Sequence, residues 1–268
     1  MKTAIIIPAR YGSTRFPGKP LVKIGGRTML ERVVSVGKKA AAAHENVTLA
    51  VATEDQRIAD HCAEIGALCF LTSPDCPTGS DRVLEAAEKA DGDFDYILSL
   101  QGDAPFTPAE AIAKMLQAVS NDSSIEVVTP VVSLRWNELD ALRESKKTTP
   151  FSGTTAVIDE SGKALWFSKN IIPAIRKEEK LREGNEFSPV YQHLGLYGYR
   201  TDILKRYVSL PQGHYEQLEG LEQLRLLENG IAIQTVTITV DAGLAQAGID
   251  SPEDVARAER ILQEHGDL

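Results

Sequence analysis

Cysteine is scarce in this chain, which has three among 268 residues. Cys62, Cys69 and Cys76 are spaced by seven, and none of them belongs to a CxxC pair. So few cysteines exclude a disulfide framework, and their spacing does not favour a structural zinc site. Buried or incidental thiols are the expected interpretation.

The chain has no long apolar run. No stretch approaches the roughly 18 apolar residues that a membrane-spanning helix needs. One lysine precedes a short apolar stretch at the N-terminus, which is too short for a secretory signal. We therefore expect a soluble cytoplasmic protein that does not associate with a membrane.

An excess of basic residues is also missing. The chain has 29 Lys and Arg against 38 Asp and Glu, for a net charge of −9. A nucleic-acid-binding protein needs a basic face for the phosphate backbone, so this class is not expected. A single nucleotide is not excluded, because a few local cations and a metal ion can hold one triphosphate against the overall charge.

The composition is otherwise that of a globular domain, with 43% hydrophobic and 25% charged residues. In the first half, strand-like and helix-like segments alternate, which predicts an α/β fold with a mainly parallel, doubly wound sheet. The predicted elements of this half are, in order, Ala4–Ile7, Thr28–Lys39, Val47–Ala52, Asp55–Ile65, Ala67–Leu71, Ser80–Lys89, Tyr96–Leu100, Pro108–Ala118 and Glu126–Val132.

The pattern changes at about residue 133 and returns at about 215. We interpret this part as an inserted, partly antiparallel lobe within one domain that spans residues 1–268. The elements predicted from here on are a hairpin of Thr154–Asp159 and Lys163–Ser168, an exposed loop at Arg176–Gly184, a strand over Val190–Tyr199, a helix over Tyr215–Asn229, a strand over Ile231–Val240 and a closing helix over Pro252–Glu264.

The segment after the first strand is the most informative part of the chain. Three cations (Arg10, Arg15 and Lys19), two glycines and two hydroxyls follow Pro8 within a short loop. A basic, glycine-containing loop at the carboxyl edge of a parallel sheet is where open α/β folds bind phosphorylated ligands. The glycine spacings of a Walker loop and of the GxGxxG motif are both absent.

Two aspartates are candidate metal ligands. Asp103 directly follows the predicted strand Tyr96–Leu100, and Asp250 precedes the closing helix. Mg²⁺ prefers one or two carboxylates together with phosphate oxygens and water, so two aspartates from separate loops suit it. Taken alone, each aspartate is more typical of a turn or a helix cap.

Seven blocks of the chain resemble, in collinear order, the 3-deoxy-manno-octulosonate (Kdo) cytidylyltransferases, also called CMP-Kdo synthetases. The blocks are IPARYGSTRFPGKPL (7–21), TGSDR (78–82), LQGDAPF (100–106), ALWFSK (164–169), HLGLYGYR (193–200), LEQLR (221–225) and IDSPEDVARAE (249–259). They span nearly the whole chain. The opening block distinguishes this family from the related sialic-acid activating enzymes, which share the fold.

This resemblance implies a nucleotide-diphospho-sugar transferase-like fold and a homodimer. It also implies a Mg²⁺-dependent transfer of CMP from CTP to the anomeric hydroxyl of a 3-deoxy-2-ulosonate, for lipopolysaccharide or capsule synthesis. The implied catalytic residues are Lys19, Arg15, Asp103 and Asp250, of which the two aspartates hold the metal.

The resemblance also assigns binding residues at both ends of the site. Those for the nucleotide are Pro8, Ala9, Arg10, Arg15, Lys19, Thr78, Gly79, Arg82 and Gln101. Those for the sugar acid are Lys169, His193, Tyr197, Glu222 and Gln223.

The chain departs from the family at two positions of the sugar end. Thr155 stands where relatives usually have a lysine, and Lys169 stands where they have an arginine, so one cation is lost and one loses its planar fork. This favours a modified substrate, such as 8-amino-3,8-dideoxy-manno-octulosonate or a nonulosonate, or else compensation by Lys146 and Lys147. A non-catalytic nucleotide-sugar sensor on the same fold is a further alternative.

Overall fold

Strands and helices alternate along the chain, as the sequence pattern predicts. The computed structural model describes residues 1–12, 16–90, 92–240, 248–249 and 251–266. The elements of the first half are β1 (Thr3–Pro8), a one-turn 3₁₀ helix (Lys19–Leu21), β2 (Lys23–Ile24), β3 (Arg27–Thr28), α1 (Met29–Ala41), β4 (Val47–Thr53), α2 (Gln56–Glu64), β5 (Cys69–Leu71), α3 (Gly79–Lys89), β6 (Tyr96–Ser99), α4 (Ala109–Asn121) and β7 (Val127–Arg135).

The second half carries the antiparallel strands and several shorter helices. Its elements are α5 (Trp136–Ser145), β8 (Thr155–Ile158), β9 (Ala164–Ser168), α6 (Glu178–Gly184), β10 (Phe187–His193), β11 (Tyr197–Arg200), α7 (Thr201–Ser209), α8 (His214–Glu219), α9 (Gln223–Glu228), β12 (Ile233–Ile238) and α10 (Pro252–His265).

Ten strands of the described residues form one mixed sheet, in the order β5-β4-β1-β6-β11-β7-β10-β8-β9, with β12 paired to β7. The pairing directions make seven strands run one way, whereas β9, β10 and β11 run the other way. The prediction of an α/β fold with a mainly parallel sheet is thereby confirmed.

The first strand is buried on both faces of this sheet. Ile5 and Ile7 pack into one core with helices α1, α2 and α4, and Ala4 and Ile6 pack into a second core with α3 and α7. A continuous apolar run is what a parallel strand covered on both sides requires. Helices therefore cover both faces, and the carboxyl end of β1 is held rigidly at one edge.

The sheet forks beside β7. The same edge of this strand pairs with β11 along Val127 and Val128 and with β10 along its second half. Beyond them, β11 pairs with β6 and β10 pairs with β8. The fork opens a crevice between the end of β6 and the start of β8, where residues from distant parts of the chain meet.

The fork explains why one predicted strand is wrong. Val190–Tyr199 was expected to be a single strand, but the chain leaves regular pairing at Leu194–Leu196 and forms β10 and β11 on either side. The two halves follow the same β7 edge but have different outer neighbours. Alternation of residue types along the sequence does not reveal such a change of partner.

Two further predictions in this half are wrong. The predicted helix over Tyr215–Asn229 is broken into α8 and α9 at Gly220, whose φ of 60° lies in the left-handed region that glycine tolerates. The predicted loop at Arg176–Gly184 contains helix α6. Ion pairs stabilise this exposed helix, because Glu178 bonds to Arg143 and to Arg182.

Within the described ranges, no helix combines the length and the apolar character that crossing a bilayer requires.

Candidate active site

A cavity of about 560 Å³ occupies the fork of the sheet. It is lined by the loop after β6, by the segment before β8, by the break between β10 and β11, and by the turn between α8 and α9. The residues of the predicted site that line it are Gly79, Gln101, Asp103, Lys169, His193, Tyr197, Glu222 and Gln223. Residues from both predicted ends of the site thus share one cavity.

The loop after β6 is packed tightly against the end of β1. A Cβ atom at Gly102 would lie 2.5 Å from the carbonyl oxygen of Pro8, so only glycine allows this approach. Ala9 is buried and donates its N–H to the carbonyl of Ala52, whereas Arg10 is exposed at the edge of the sheet. The loop that carries Asp103 therefore lies directly against the end of β1.

Lys19 and Asp103 form an ion pair at this edge. The ammonium nitrogen lies 2.9 Å from Asp103 Oδ2, and the two side chains are 14% and 41% exposed. A cation and a carboxylate are thus already adjacent where the sequence predicted phosphate and metal binding. Arg15, the other predicted phosphate ligand of this loop, lies outside the described residues.

Ile249, the residue before the candidate metal ligand Asp250, contacts the other candidate, Asp103. The backbone N–H of Ile249 donates to the carbonyl of Asp103 at 3.0 Å, and Gly248 lines the cavity. Asp250 itself lies outside the described residues, so the predicted pairing of the two carboxylates stays a prediction. Among the described residues, no group of three or more His, Cys, Asp or Glu side chains is arranged to hold a metal.

Helix α3 begins beside the end of β1. Thr78 caps it: its hydroxyl accepts from the Asp81 N–H at 3.3 Å and donates to the Asp81 carboxylate at 2.5 Å. Gly79, the first residue of the helix, lies next to the Pro8 ring. The positive end of an 11-residue helix is therefore directed toward the edge where the predicted nucleotide residues meet.

Arg82 of the same helix is completely buried. Its Nη1 lies 2.9 Å from Glu54 Oε2 and donates to the hydroxyl of Thr72, whereas Nε and Nη2 have no hydrogen-bond partner in the described structure. Buried donors without a partner are costly, and Arg82 is not among the residues that line the cavity. The sequence analysis missed Glu54, although it follows β4 at the same edge where Asp103 follows β6.

His193 is one of the residues that line the cavity. Its ring packs on Phe167 and Tyr197, with centroids 4.9 and 5.4 Å away, and its Nε2 lies 3.0 Å from the hydroxyl oxygen of Thr129. Burial, together with the charge of Lys169, lowers the pKa of His193 to about 3. Burial also raises the pKa of Tyr197 well above its usual value. Both groups are therefore neutral at physiological pH.

The turn between α8 and α9 contributes two polar side chains. Gln223 is buried, and its Nε2 has no hydrogen-bond partner within the described part of the chain. Glu222 is exposed, and its carboxylate lies 3.4 Å from the Tyr207 hydroxyl. A buried amide donor that lines a cavity without a partner is suited to a polar ligand.

Thr155, which stands where relatives of the family usually have a lysine, has a structural role in this protein. It is fully buried, its hydroxyl donates to the carbonyl of Asn170 at 2.7 Å, and it accepts the N–H of Ile172 at 3.1 Å. The hydroxyl thus fixes the loop that follows Lys169. A residue in this environment adds no charge to the cavity.

Lys146 is bound to the same loop by backbone carbonyls. Its ammonium donates to the carbonyls of Ser152, Gly153 and Lys169 at 2.6, 2.8 and 2.6 Å. Burial, followed by repulsion from Lys169, lowers the pKa of Lys146. This lysine therefore ties both walls of the cavity together, whereas its neighbour Lys147 is exposed and pairs with Glu144.

Glu219 orients Lys169, and the sequence analysis missed it. Its carboxylate accepts the backbone N–H of Lys169 at 2.7 Å and the hydroxyl of Ser168 at 2.8 Å. Burial lowers the pKa of Lys169, and the charge of Glu219 opposes that shift. Lys169 thus supplies a cation to the wall of the cavity.

Comparison with known proteins agrees with this geometry. Residues 4–235 match the family model described as Cytidylyltransferase. The chain is 42% identical to the 3-deoxy-manno-octulosonate cytidylyltransferase of Maricaulis maris over the full length of both proteins. It is 38% identical to the enzyme of the same name from Desulfatibacillum aliphaticivorans, over 98% of this chain and all of that one.

A solved structure shares the fold closely. The structure described as CMP:2-keto-3-deoxy-manno-octonic acid synthetase complexed with CTP has a TM-score of 0.82 and 31% identity, and the match covers 98% of this chain and 99% of that one. The chain is thus a nucleotidyltransferase, and it belongs to the 3-deoxy-manno-octulosonate cytidylyltransferase family.

Proposed function

We propose that this chain transfers CMP from CTP to the anomeric hydroxyl of Kdo, forming CMP-Kdo and pyrophosphate. The observation that carries the proposal is the shared cavity, in which Asp103, the ion-pair partner of Lys19, lies together with the buried polar groups His193 and Gln223. Its relatives bear the name of this activity, and the similar solved structure is described as a complex with CTP.

The nucleotide is assigned to the end formed by β1, α3 and the loop after β6. Lys19 is a compact point charge suited to the β- and γ-phosphates, and we assign Arg15 to the same phosphates. The two unpartnered nitrogens of Arg82 are suited to the pyrimidine carbonyl. Pro8, Ala9, Arg10, Thr78, Gly79 and Gln101 complete the proposed nucleotide site.

The residues present fit a divalent cation. Asp103 is half-exposed, its Oδ2 alone is paired with Lys19, and the chain next to Asp250 is hydrogen-bonded to it. One or two carboxylates with room for phosphate oxygens form the donor set that Mg²⁺ prefers. Bound Mg²⁺ would neutralise phosphate oxygens and lower the pKa of the sugar hydroxyl.

The sugar acid is assigned to the other end of the cavity. Lys169 supplies the charge for its carboxylate, and Tyr197, Glu222 and Gln223 offer hydrogen bonds to its hydroxyls. His193 is neutral and is suited to a hydroxyl rather than to an anion. Charge is therefore assigned where the substrate carries charge, and neutral donors and acceptors where it carries hydroxyls.

Catalysis then consists of alignment and charge stabilisation. The anomeric oxygen forms a bond to the α-phosphorus of CTP, the bond from that phosphorus to the bridging oxygen breaks, and pyrophosphate leaves with the bond electrons while the hydroxyl proton passes to solvent. Lys19 and Arg15 stabilise the charge that develops on the leaving group. The mechanism needs no covalent enzyme intermediate.

A coupled assay of pyrophosphate release tests the proposal. With CTP, Mg²⁺ and Kdo, we expect release that depends on all three components and stops on chelation. No release with any ulosonate would refute the proposed activity.

A modified ulosonate is the second candidate substrate. It is motivated by Thr155, which is buried and uncharged at the sugar end, and by Lys169, which has no planar fork. The same assay with 8-amino-3,8-dideoxy-manno-octulosonate and a nonulosonate separates the two. A clear preference for plain Kdo would remove this candidate.

We further propose a homodimer formed through the lobe at roughly 133–215. Five large apolar side chains are exposed on or beside this lobe: Phe151 is 76% exposed, Leu218 69%, Leu165 57%, Tyr215 48% and Leu181 38%. Large exposed apolar side chains are typical of association surfaces when they form a patch. Light scattering on the purified chain gives the mass directly, and a strict monomer would contradict the dimer.

Because CTP is an intracellular metabolite, we place the enzyme in the cytoplasm, in lipopolysaccharide or capsule synthesis.

A further inference from the structure

One buried hydroxyl on β7 is surrounded by three polar atoms. Thr129 is completely buried, and its Oγ1 lies 3.0 Å from His193 Nε2, 2.8 Å from the carbonyl oxygen of Leu196 and 3.4 Å from that of Leu194. Leu194 and Leu196 belong to the break between β10 and β11. The hydroxyl therefore links the fork of the sheet to the histidine of the sugar end.

The number of hydrogens decides the direction of these bonds. A hydroxyl has one hydrogen to donate, and a carbonyl oxygen only accepts. The hydroxyl hydrogen of Thr129 must point to the carbonyl oxygen of Leu196. Without a hydrogen between them, these two oxygens would repel each other at their separation of 2.8 Å. His193 Nε2 must then carry a proton and donate it to Thr129.

The protonation state of the second ring nitrogen of His193, Nδ1, follows from that of Nε2. A neutral imidazole donates from one nitrogen and accepts at the other. Burial and the neighbouring Lys169 lower the pKa of His193, so the ring is neutral. With Nε2 protonated, Nδ1 has a free lone pair. No hydrogen bond joins Nδ1 to any group in the described part of the chain, and His193 lines the cavity.

We propose that Thr129 is a positioning residue that fixes the Nε2-protonated tautomer of His193, so that Nδ1 accepts a hydrogen bond from a hydroxyl of the sugar acid. This inference rests on the proposed function for the identity of the ligand. A lone-pair acceptor attracts a hydroxyl hydrogen and repels a carboxylate oxygen. The imidazole thus excludes the acidic group of the substrate from this position and leaves it to Lys169.

Nitrogen NMR of the unmodified enzyme tests the tautomer directly. The chain has five histidines, so selective ¹⁵N labelling gives a small spectrum, in which His193→Gln assigns one residue by its missing signals. We expect a pyrrole-like shift for Nε2 and a pyridine-like shift for Nδ1 at neutral pH. The opposite pattern, or two protonated nitrogens, would overturn the proposal.

Substitution of the hydroxyl tests its effect on the substrate. Thr129→Val keeps the shape but removes the hydroxyl, and we expect KM for the sugar acid to rise about tenfold, the size of one lost hydrogen bond. The KM for CTP should change less than twofold. The His193 shifts should move toward averaged values, as for a ring that exchanges between tautomers.

Thr129→Ser is the matched control because it keeps the hydroxyl. We expect it to restore the nitrogen shifts and the KM for the sugar acid to within about twofold of the original values. An equal rise of both KM values in Thr129→Val, or no rise, would show that the hydroxyl serves only packing and would overturn the proposal. If Thr129→Val does not fold, the spectrum of the unmodified enzyme decides alone.

The two hypotheses fail separately. An enzyme that is inactive with every ulosonate refutes the proposed function but leaves the nitrogen shifts interpretable. An active enzyme with an Nδ1-protonated His193 refutes the role of Thr129 and leaves the activity in place.

Discussion

The ammonium of Lys19 lies 2.9 Å from Oδ2 of Asp103, although 84 positions separate the two residues in the chain. The pair joins the loop after β1 to the loop after β6, which Gly102 allows to pack on the backbone of Pro8. In the free protein each charge neutralises the other. Binding of a phosphate and a divalent cation would give each of them a new partner.

Asp103→Asn should reduce kcat by at least about a hundredfold, because the amide keeps the shape but loses the charge that binds a cation. Steady-state pyrophosphate release measures the effect. Asp93→Asn is the matched control, since Asp93 is exposed before the opposite end of β6. Near-normal turnover in Asp103→Asn would contradict the metal assignment.

Lys19→Ala should slow turnover more than it weakens the binding of cytidine monophosphate, because the lysine is assigned to the leaving phosphates. We expect a loss of about a hundredfold in kcat and only a few-fold change in the dissociation constant of the monophosphate. Calorimetry and kinetics provide the two values. Lys23→Ala, at an exposed position of β2, controls for the loss of a local charge. Equal losses in both measurements would contradict this role.

Arg82→Lys should raise the KM for CTP about tenfold or more and leave the KM for the sugar acid nearly unchanged. The substitution keeps a positive charge beside Glu54 but removes the fixed fork of donors that the buried site offers. Competition between CTP and UTP gives a second measurement, and we expect discrimination to fall. Unchanged KM and discrimination would assign Arg82 to structure alone.

Lys146→Met should raise the KM for the sugar acid several-fold without a matching change for CTP. The substitution removes the ammonium that joins the carbonyls of Ser152, Gly153 and Lys169, so both walls of the sugar end lose a restraint. Lys147→Met is the control, because that neighbour is exposed and pairs only with Glu144 in the described structure. The same effect in both variants would show that net charge, and not this anchor, matters.

The pH dependence of stability should contain a contribution from His193. Its pKa of about 3 in the folded protein lies below the ordinary value of 6.5, so between these values the unfolded chain binds a proton that the folded chain does not. Stability therefore falls as the pH drops below about 6, by up to about 1.4 kcal/mol per pH unit from this group. Denaturant unfolding at several pH values measures the slope.

His193→Gln removes that contribution, and His214→Gln serves as control at an exposed position. We expect a shallower acid slope for the first variant and an unchanged slope for the second. Identical slopes for all three proteins would mean that His193 is not buried as a neutral ring.

Much of the fold could be predicted from local pattern. The apolar run Ala4–Ile7 indicates a strand buried on both faces, and the alternation up to β7 indicates a parallel sheet. The lobe was harder to predict, because the break at Leu194–Leu196 reflects a change of neighbouring strands, and Gly220 ends a helix that the leucine spacing would continue. Both depend on contacts far apart in sequence.

The site was predictable where a residue follows a strand, as Asp103 does. Glu54 obeys the same rule and was overlooked, whereas Thr129 lies within a strand and gives no signal in the sequence. Its role depends on the break in β10 and β11 that brings Leu196 and His193 to one hydroxyl. Arg82 illustrates the remaining difficulty, because its burial against Glu54 is a property of packing rather than of spacing.

Anomalous diffraction from crystals grown with CTP and Mn²⁺ tests the central claim most directly, because Mn²⁺ replaces Mg²⁺ and marks its own position. We expect a metal peak in contact with the Asp103 carboxylate, an oxygen of the nucleotide phosphates as a further ligand, and Lys19 turned from Asp103 toward the phosphates. A nucleotide bound outside the cavity of the fork, or a metal peak remote from Asp103, would contradict the account.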